Sequence, residues 1–182
     1  MIKTATSYKP QATSDELKVK SKKLKKSGVN IIEGDKAISG VRIAIVASRY
    51  NDYIVERLIQ GCITTLQAGG VSADAITLLR VPGAFELPVI AARLARKKSY
   101  DAIIALGAVI RGETPHFEYI CRECAGGLSR IATETGMPVV FGVLTVDNNG
   151  QAEDRSGDEE SNKGSEAAHT AIEMIGLLRK IG

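Results

Sequence analysis

The chain has 182 residues, is 44% hydrophobic and carries a formal net charge of +3 at pH 7. This length and composition suit one compact domain with a sizeable core, and three cysteines make a poor disulfide framework. No apolar run approaches the ~20 residues that a transmembrane helix needs, and the N-terminal MIKTATSYKPQ lacks the apolar centre of a secretory signal. These features exclude an integral membrane protein and predict a cytoplasmic one.

The positive charge is concentrated at the N-terminus. Residues 1–28 contain eight Lys, no Arg and only two acids, which gives +6, whereas the remainder sums to −3. The stretch LKVKSKKLKKSG has no interleaved aromatic residues to stack on bases, so nucleic-acid binding is not favoured over a solvated tail. We therefore expect a lysine-rich flexible arm over residues 1–28 and a folded domain over residues 29–182.

From Val41 onward, strand-like and helix-like segments alternate. VRIAIVAS (41–48) is β-branched and almost wholly apolar, which predicts a strand covered on both faces. The next segment, residues 51–70, predicts a helix with Asn51 or Asp52 as its cap and a glycine pair as its stop.

The same pattern occurs three more times. Further strands are predicted over residues 74–83, 101–110 and 137–145, and further helices over residues 84–98, 116–136 and 162–181. Four β/α units in series imply a four-stranded parallel sheet between two layers of helices, a three-layer α/β sandwich.

Ligands in such sheets bind beyond the carboxyl ends of the strands. The segments that follow the predicted strands are residues 48–51, 81–86, 107–116 and 145–163. All four can line one cleft, and they are the first places to search for functional side chains.

The segment LGAVIRGETPHFEYI (106–120) combines a buried strand with a polar corner and one of only two histidines. Thr114 suits the N-cap of the helix that follows, and Pro115 suits its first position. The N–H groups at such a helix start favour a phosphate or carboxylate. His116 lies in the first turn, where positive potential favours the neutral imidazole that acid–base catalysis requires.

Other candidates lie in the remaining post-strand segments. Arg155 and Lys163 are candidate anion contacts, because Arg grips phosphate with two hydrogen bonds and Lys acts as a point charge. Tyr50 or Phe141 can stack on a flat heterocycle, whereas Phe85 fits stacking and core packing about equally. Glu86 can accept hydrogen bonds from a ligand or cap the adjacent helix.

Several common motifs are missing from the sequence. It has no GxxxxGK[ST] run, no GxGxxG after the first predicted strand and no GxSxG elbow. Cys121 and Cys124 form a CxxC inside a predicted helix without a second pair at zinc spacing, so we interpret them as packing residues and predict no metal site.

Long segments of the chain resemble the 6,7-dimethyl-8-ribityllumazine synthase family, in the family's order and spacing. The resemblance begins near NIIEG (30–34) and continues to the C-terminus. It rests mainly on VPGAFELP (81–88), GAVIRGETPHFEYI (107–120), VVFGVLT (139–145), QAEDRSG (151–157) and NKGSEAAHTAIEM (162–174).

The resemblance implies a flavodoxin-like fold and the penultimate step of riboflavin biosynthesis. In that step 5-amino-6-(D-ribitylamino)uracil condenses with 3,4-dihydroxy-2-butanone 4-phosphate to form the lumazine, phosphate and water. It also implies that no metal or organic cofactor takes part.

The resemblance assigns a role to each matching position. His116 would be the proton shuttle, Glu113 and Thr114 would offer backbone N–H groups to phosphate, and Arg155 would supply the opposing charge. Phe141 would come from a neighbouring subunit. The residues implied to border the pyrimidine and its ribityl chain are Tyr50, Ala84, Phe85, Glu86, Ala108, Val109 and Ile110; Lys163 completes the substrate-binding set.

The family's sites lie between subunits of a pentamer, and twelve pentamers can close into a 60-subunit shell. By resemblance, the segment around residues 30–35 would add a strand to a neighbour's sheet, and riboflavin synthase, the next enzyme of the pathway, is a possible partner.

The chain departs from the family pattern in the loop RSGDEESNKG, where Asp158, Glu159 and Glu160 stand at the positions of a usual TKx segment. Three acids beside a phosphate site would repel the substrate unless they face solvent. Two alternatives therefore stay open, a paralogue that binds a lumazine or flavin without forming it, and a cage subunit whose arm recruits anionic cargo.

Overall fold

The computed structural model describes residues 28–158 and 161–182. The predicted lysine-rich arm, apart from Gly28, and the acids Glu159 and Glu160 lie outside the described residues. The chain divides into a short N-terminal unit, described over residues 28–33, and a larger unit, Gly34–Gly182. Residues 29–33 form neither helix nor strand.

The larger unit alternates strands and helices as the apolar pattern predicts. Its strands are β1 (Ile43–Ser48), β2 (Ile76–Val81), β3 (Ala102–Ile110) and β4 (Val139–Val146). Its helices are α1 (Asp52–Ala68), α2 (Leu87–Lys97), α3 (His116–Thr135), α4 (Asn149–Arg155) and α5 (Lys163–Ile181), with short 3₁₀ turns at Ala73–Ala75 and Ala84–Glu86.

The four strands form one parallel sheet in the order β2-β1-β3-β4. The register sets Ser48 opposite Val81 and Ile110 opposite Val146, so the carboxyl ends of all four strands lie at one edge of the sheet. This arrangement confirms the predicted three-layer, flavodoxin-like fold.

Each face of the sheet is covered by two helices. The alternate side chains of β1 point to opposite faces: Ile43 and Ile45 join the core under α1 and α5, while Ala44 and Val46 join the core under α2 and α3. Leu58 in α1 is fully buried, and burying a leucine side chain contributes roughly 1.5–3 kcal/mol. The apolar faces of the helices therefore hold the three layers together.

Three local predictions differ from the structure. Helix α4 was expected to be loop. Asn51 makes no side-chain cap bond to α1 and adopts the left-handed conformation instead. Thr114 does not cap α3, because the cap position is occupied by Pro115 and no side chain supplies a cap bond there.

Helix α4 is only seven residues long and buries a single residue, Ala152, so it has no apolar periodicity to detect. Its start is fixed by Asn148, whose side-chain oxygen accepts a hydrogen bond from Gln151 N at 2.9 Å. Among the described residues, no helix is long and apolar enough to cross a bilayer.

Candidate active site

A cleft of about 640 Å³ opens at the carboxyl ends of β1, β2 and β3. It lies where open parallel sheets bind ligands. Its lining includes most of the residues singled out from the sequence, namely Tyr50, Ala84, Phe85, Glu86, Ala108, Val109, Ile110, Thr114 and His116. Five further residues complete it: Asn51, Gly83, Gly112, Phe117 and Ile120.

Tyr50 and Phe85 offer aromatic surface to this cleft. Backbone hydrogen bonds extend the β1–β2 pairing beyond Ser48, with Arg49 N donating to Val81 O (2.8 Å) and Tyr50 N to Pro82 O (3.1 Å). Tyr50 is 75% exposed and Phe85 is 56% exposed, so neither ring is buried in the core. Their exposed surface can therefore stack on a flat ring.

Glu86 is half-buried, bonds the backbone at a helix start and lines the cleft. One carboxylate oxygen, Oε2, accepts a hydrogen bond from Gly83 N at 2.9 Å and so fixes the turn at the start of the 3₁₀ segment. The side chain also lines the cleft. A carboxylate has two oxygens, so Oε1 has acceptor capacity for a ligand.

Asn51 is a cleft residue that the sequence analysis had placed as a helix cap. Its backbone has φ 58° and ψ 45°, a left-handed conformation in which asparagine is among the few tolerated non-glycine residues. Its side-chain Nδ2 donates to Ala108 O at 2.8 Å. This bond joins the β1 side of the cleft to the end of β3.

The loop between β3 and α3 is anchored by Arg111. Its guanidinium donates to Asp147 Oδ1 at 2.8 Å, pairs with Glu118 and lies 4.1 Å from the centre of the Phe117 ring. The hydrogen bonds that Arg111 donates, first to Asp147 and then to Glu118, raise the pKa of Arg111, and the bond accepted from Arg111 lowers the pKa of Glu118. These contacts fix the loop at its start and in the first turn of α3.

His116 is the first residue of α3 and is exposed in the cleft. Glu113 and Thr114 precede it and are also exposed, although Glu113 does not contribute to the cleft lining. Within the described part of the chain, the backbone N–H groups of Glu113 and Thr114 donate to no protein acceptor. Free N–H groups at a helix start are suited to an anion.

Phe141, Arg155 and Lys163 line a different groove, of about 610 Å³, along the edge strand β4 between α3 and α5. In the described residues no side chain lines both this groove and the cleft. The expectation that all four post-strand segments line one cleft is therefore wrong for a single chain. The reason is the strand order, because β4 is an edge strand and its outer side faces away from β1 and β2.

The two cations of this groove already have contacts within the chain. Arg155 Nη1 donates to Gln151 O at 3.0 Å, and Lys163 pairs with Glu166, one turn further along α5. Both contacts are exposed, and exposed ion pairs contribute little free energy, so an incoming anion can replace them.

Asp158, the first residue of the acidic substitution, is exposed and does not line the groove. Its backbone oxygen accepts hydrogen bonds from Ser161 N and Asn162 N, both at 2.9 Å. Glu159 and Glu160 lie outside the described residues.

Cys121 and Cys124 follow one another by one turn of α3. Cys124 is buried and Cys121 half-buried, and both are free thiols, which agrees with the packing role predicted for them. Burial raises the pKa of Cys124 to about 12. Among the described residues, no group of three or more His, Cys, Asp or Glu side chains is arranged to hold a metal ion.

The fold and the cleft together define a flavodoxin-like α/β protein with an open cleft beyond the carboxyl ends of its strands. The sequence model of the 6,7-dimethyl-8-ribityllumazine synthase family matches residues 40–179. The chain belongs to this family, which gives it a lumazine synthase-type function in riboflavin biosynthesis. The family resemblance seen in the sequence is thereby confirmed.

Proposed function

We propose that the protein is a cytoplasmic transferase that condenses 5-amino-6-(D-ribitylamino)uracil with 3,4-dihydroxy-2-butanone 4-phosphate. The products are 6,7-dimethyl-8-ribityllumazine, inorganic phosphate and water. The main support is the convergence of an exposed aromatic ring, a carboxylate and a histidine in one cleft, from Tyr50, Glu86 and His116.

The pyrimidine would occupy the part of the cleft between Tyr50 and the end of β3. Its ring would stack on Tyr50, and Glu86 would accept hydrogen bonds from the ribityl hydroxyls or ring N–H groups. Residues 84–86 and 108–110 line the cleft on either side of this space. A ring held between an aromatic face and a strand end is fixed in orientation, which is the larger part of what a condensation requires.

The phosphate of the second substrate would bind at the start of α3. The free N–H groups of Glu113 and Thr114 and the positive end of the helix dipole favour an anion there. The pyrimidine amine then attacks the ketone and one water leaves to form an imine. Phosphate is eliminated next, and attack of the ribitylamino nitrogen on the remaining carbonyl closes the ring and expels a second water. His116 lines the same cleft and would carry the protons between steps.

A complete site would require a second copy of the chain. Phe141, Arg155 and Lys163 lie along an edge strand rather than in the cleft of their own chain, and edge strands readily meet a neighbour. In a ring of copies, each edge groove would face the cleft of the adjacent subunit, bringing Arg155 and Lys163 to the phosphate. We propose a pentamer, with residues 30–35 adding a strand to the neighbouring sheet and with further assembly into a 60-subunit shell.

The proposal is tested by mixing the full chain with both substrates and following lumazine absorbance and fluorescence. A protein-free sample is the essential control, because the condensation also proceeds slowly without enzyme. Acceleration over that control is the expected result. Tight lumazine or flavin binding without acceleration would refute catalysis and favour a binding paralogue, whereas neither binding nor turnover in an assembled sample would favour a cage subunit.

A further inference from the structure

We propose that Asn162 is the positioning residue that holds Arg155 and Lys163 at the spacing required to grip phosphate. This inference rests on the proposed function, in which those two cations meet the phosphorylated substrate. Asn162 is 5% exposed, so it contributes through contacts inside the chain rather than by touching substrate.

The side chain of Asn162 uses all of its polar atoms. Nδ2 donates to the backbone oxygens of Arg57 (3.1 Å), Ser156 (3.2 Å) and Gly157 (3.2 Å). Oδ1 accepts from Gly164 N (2.9 Å) and Ser165 N (3.2 Å), which caps α5. Two N–H hydrogens serve three acceptors, so one of these bonds is shared.

Four of these five partners directly follow the two cationic positions. Ser156 and Gly157 directly follow Arg155, and Gly164 and Ser165 directly follow Lys163. The remaining partner, Arg57, belongs to α1, which packs against α5 across a buried core. One amide therefore ties the end of α4 and the start of α5 to the same fixed helix, and this sets the separation of the two cations.

The surrounding backbone is shaped to admit this side chain. A Cβ on Gly61 in α1 would lie 2.6 Å from Asn162 Cγ, closer than atoms can approach. A Cβ on Gly164 would lie 2.0 Å from Leu58 O. The start of α5 thus lies directly against α1.

Helix capping alone does not explain the choice of Asn at this position. Serine caps a helix about as well as asparagine, but its single hydroxyl cannot bond the carbonyls of Ser156 and Gly157 while it accepts from α5. Asn162→Ser therefore retains the cap and removes the link between the Arg155 side of the loop and α1.

The test measures KM for each substrate separately in the full chain. A displacement of about 1 Å at a binding group can cost up to about a hundredfold, so we expect Asn162→Ser to raise KM for the butanone phosphate about tenfold. KM for the pyrimidine should change less than about twofold, because none of the described residues from 155 to 163 lines the cleft of Tyr50 and Glu86.

Gly61→Ala supplies a second, independent variant. Its new methyl group displaces Asn162 from α1, although Ala is the better helix former and favours α1 itself. We expect the same selective rise in KM for the butanone phosphate. This variant keeps the inference testable if Asn162→Ser fails to fold.

Thr65→Val is the matched control for a general loss of stability. It breaks the buried hydroxyl pair between Thr65 and Ser165, 2.6 Å apart, at the same helix interface but outside the loop. We expect it to lower stability without separating the two KM values. A purely structural role of Asn162 would give all three variants the same kinetic profile, and that result would overturn the inference.

Arg155→Ala distinguishes an error in the positioning role of Asn162 from an error in the assignment of Arg155 to the phosphate. If it raises KM for the butanone phosphate while Asn162→Ser and Gly61→Ala do not, the phosphate assignment stands and the positioning role is refuted. If Arg155→Ala leaves that KM unchanged, the phosphate assignment is refuted and the positioning role with it.

Discussion

Asn51→Gly tests whether one side chain joins the two walls of the cleft. Asn51 adopts φ 58° and ψ 45°, and its Nδ2 donates to Ala108 O at 2.8 Å in a partly buried position. Glycine adopts the left-handed conformation without steric cost. The substitution therefore removes the bond to Ala108 while the backbone path into α1 is retained.

The expected loss of stability has two parts. Removing a partly buried hydrogen bond costs about 1 kcal/mol. The greater freedom of glycine in the unfolded chain adds up to about 1 kcal/mol. Relief of the left-handed strain at Asn51 offsets part of this sum, so we expect Asn51→Gly to lower the free energy of unfolding by about 1 kcal/mol.

Lys98→Gly isolates the hydrogen-bond part. Lys98 is also left-handed, with φ 51° and ψ 31°, but it ends α2 on the exposed surface and its side chain makes no bond among the described residues. Lys98→Gly therefore has the same two backbone effects as Asn51→Gly, the greater entropy of the unfolded chain and the relief of left-handed strain. It does not remove a hydrogen bond to β3. Asn51→Gly should be the less stable variant by about 1 kcal/mol.

Urea unfolding of both variants at one protein concentration measures this difference, since oligomer stability depends on concentration. KM for the pyrimidine should also rise in Asn51→Gly, because the wall that carries Tyr50 loses its link to β3. Equal unfolding free energies and an unchanged pyrimidine KM would refute the idea that Asn51 joins the walls.

The remaining predictions concern the proton shuttle, the phosphate contact and the thiols. His116→Ala should lower kcat about a hundredfold in the lumazine fluorescence assay, since positioned acid–base groups contribute at least that much; unchanged kcat would remove His116 from the mechanism. Arg155→Ala should raise KM for the butanone phosphate about tenfold or more, because a charged hydrogen bond is lost, with the pyrimidine KM as the internal control. At pH 8 a thiol reagent should modify Cys121 before Cys62 and Cys124, whose pKa values burial raises to about 12. These folded-state pKa values exceed the unfolded value of about 9, so the stability that the two buried neutral thiols contribute is present below pH 9 and is lost as pH rises toward 12. A thermal unfolding midpoint that does not fall between pH 9 and 12 would contradict the raised pKa values of Cys62 and Cys124.

The long elements could be predicted from their apolar patterns, a continuous apolar run for β1 and helical spacing of apolar residues for α1. β1 is buried at every position, and α1 places Ile54, Leu58 and Leu66 on one buried face. Helix α4 was missed for the opposite reason, since a seven-residue helix with one buried residue has no period. Its cap, Asn148, was a local signal that could have indicated it.

The cleft could be located from the sequence because its residues follow three strands directly. The strand and helix pattern alone could not give the position of Phe141, Arg155 and Lys163, since it does not specify the order of the strands in the sheet. The family resemblance assigned only Phe141 to a neighbouring subunit. Only the order β2-β1-β3-β4 shows that β4 is at an edge and that its residues lie outside the cleft of their own chain.

Asn51 and Asn162 show why the supporting residues of a site are hard to find in a sequence. Asparagine next to a helix start predicts a cap, because the cap bond joins neighbours in the chain. The bonds that distinguish these two residues reach 57 positions to Ala108 and 105 positions to Arg57. Such partners come together only after the strand order and the packing of α5 on α1 are fixed. Asn51 makes no cap bond to α1. Asn162 caps α5 through Oδ1 and also donates through Nδ2 to distant backbone oxygens.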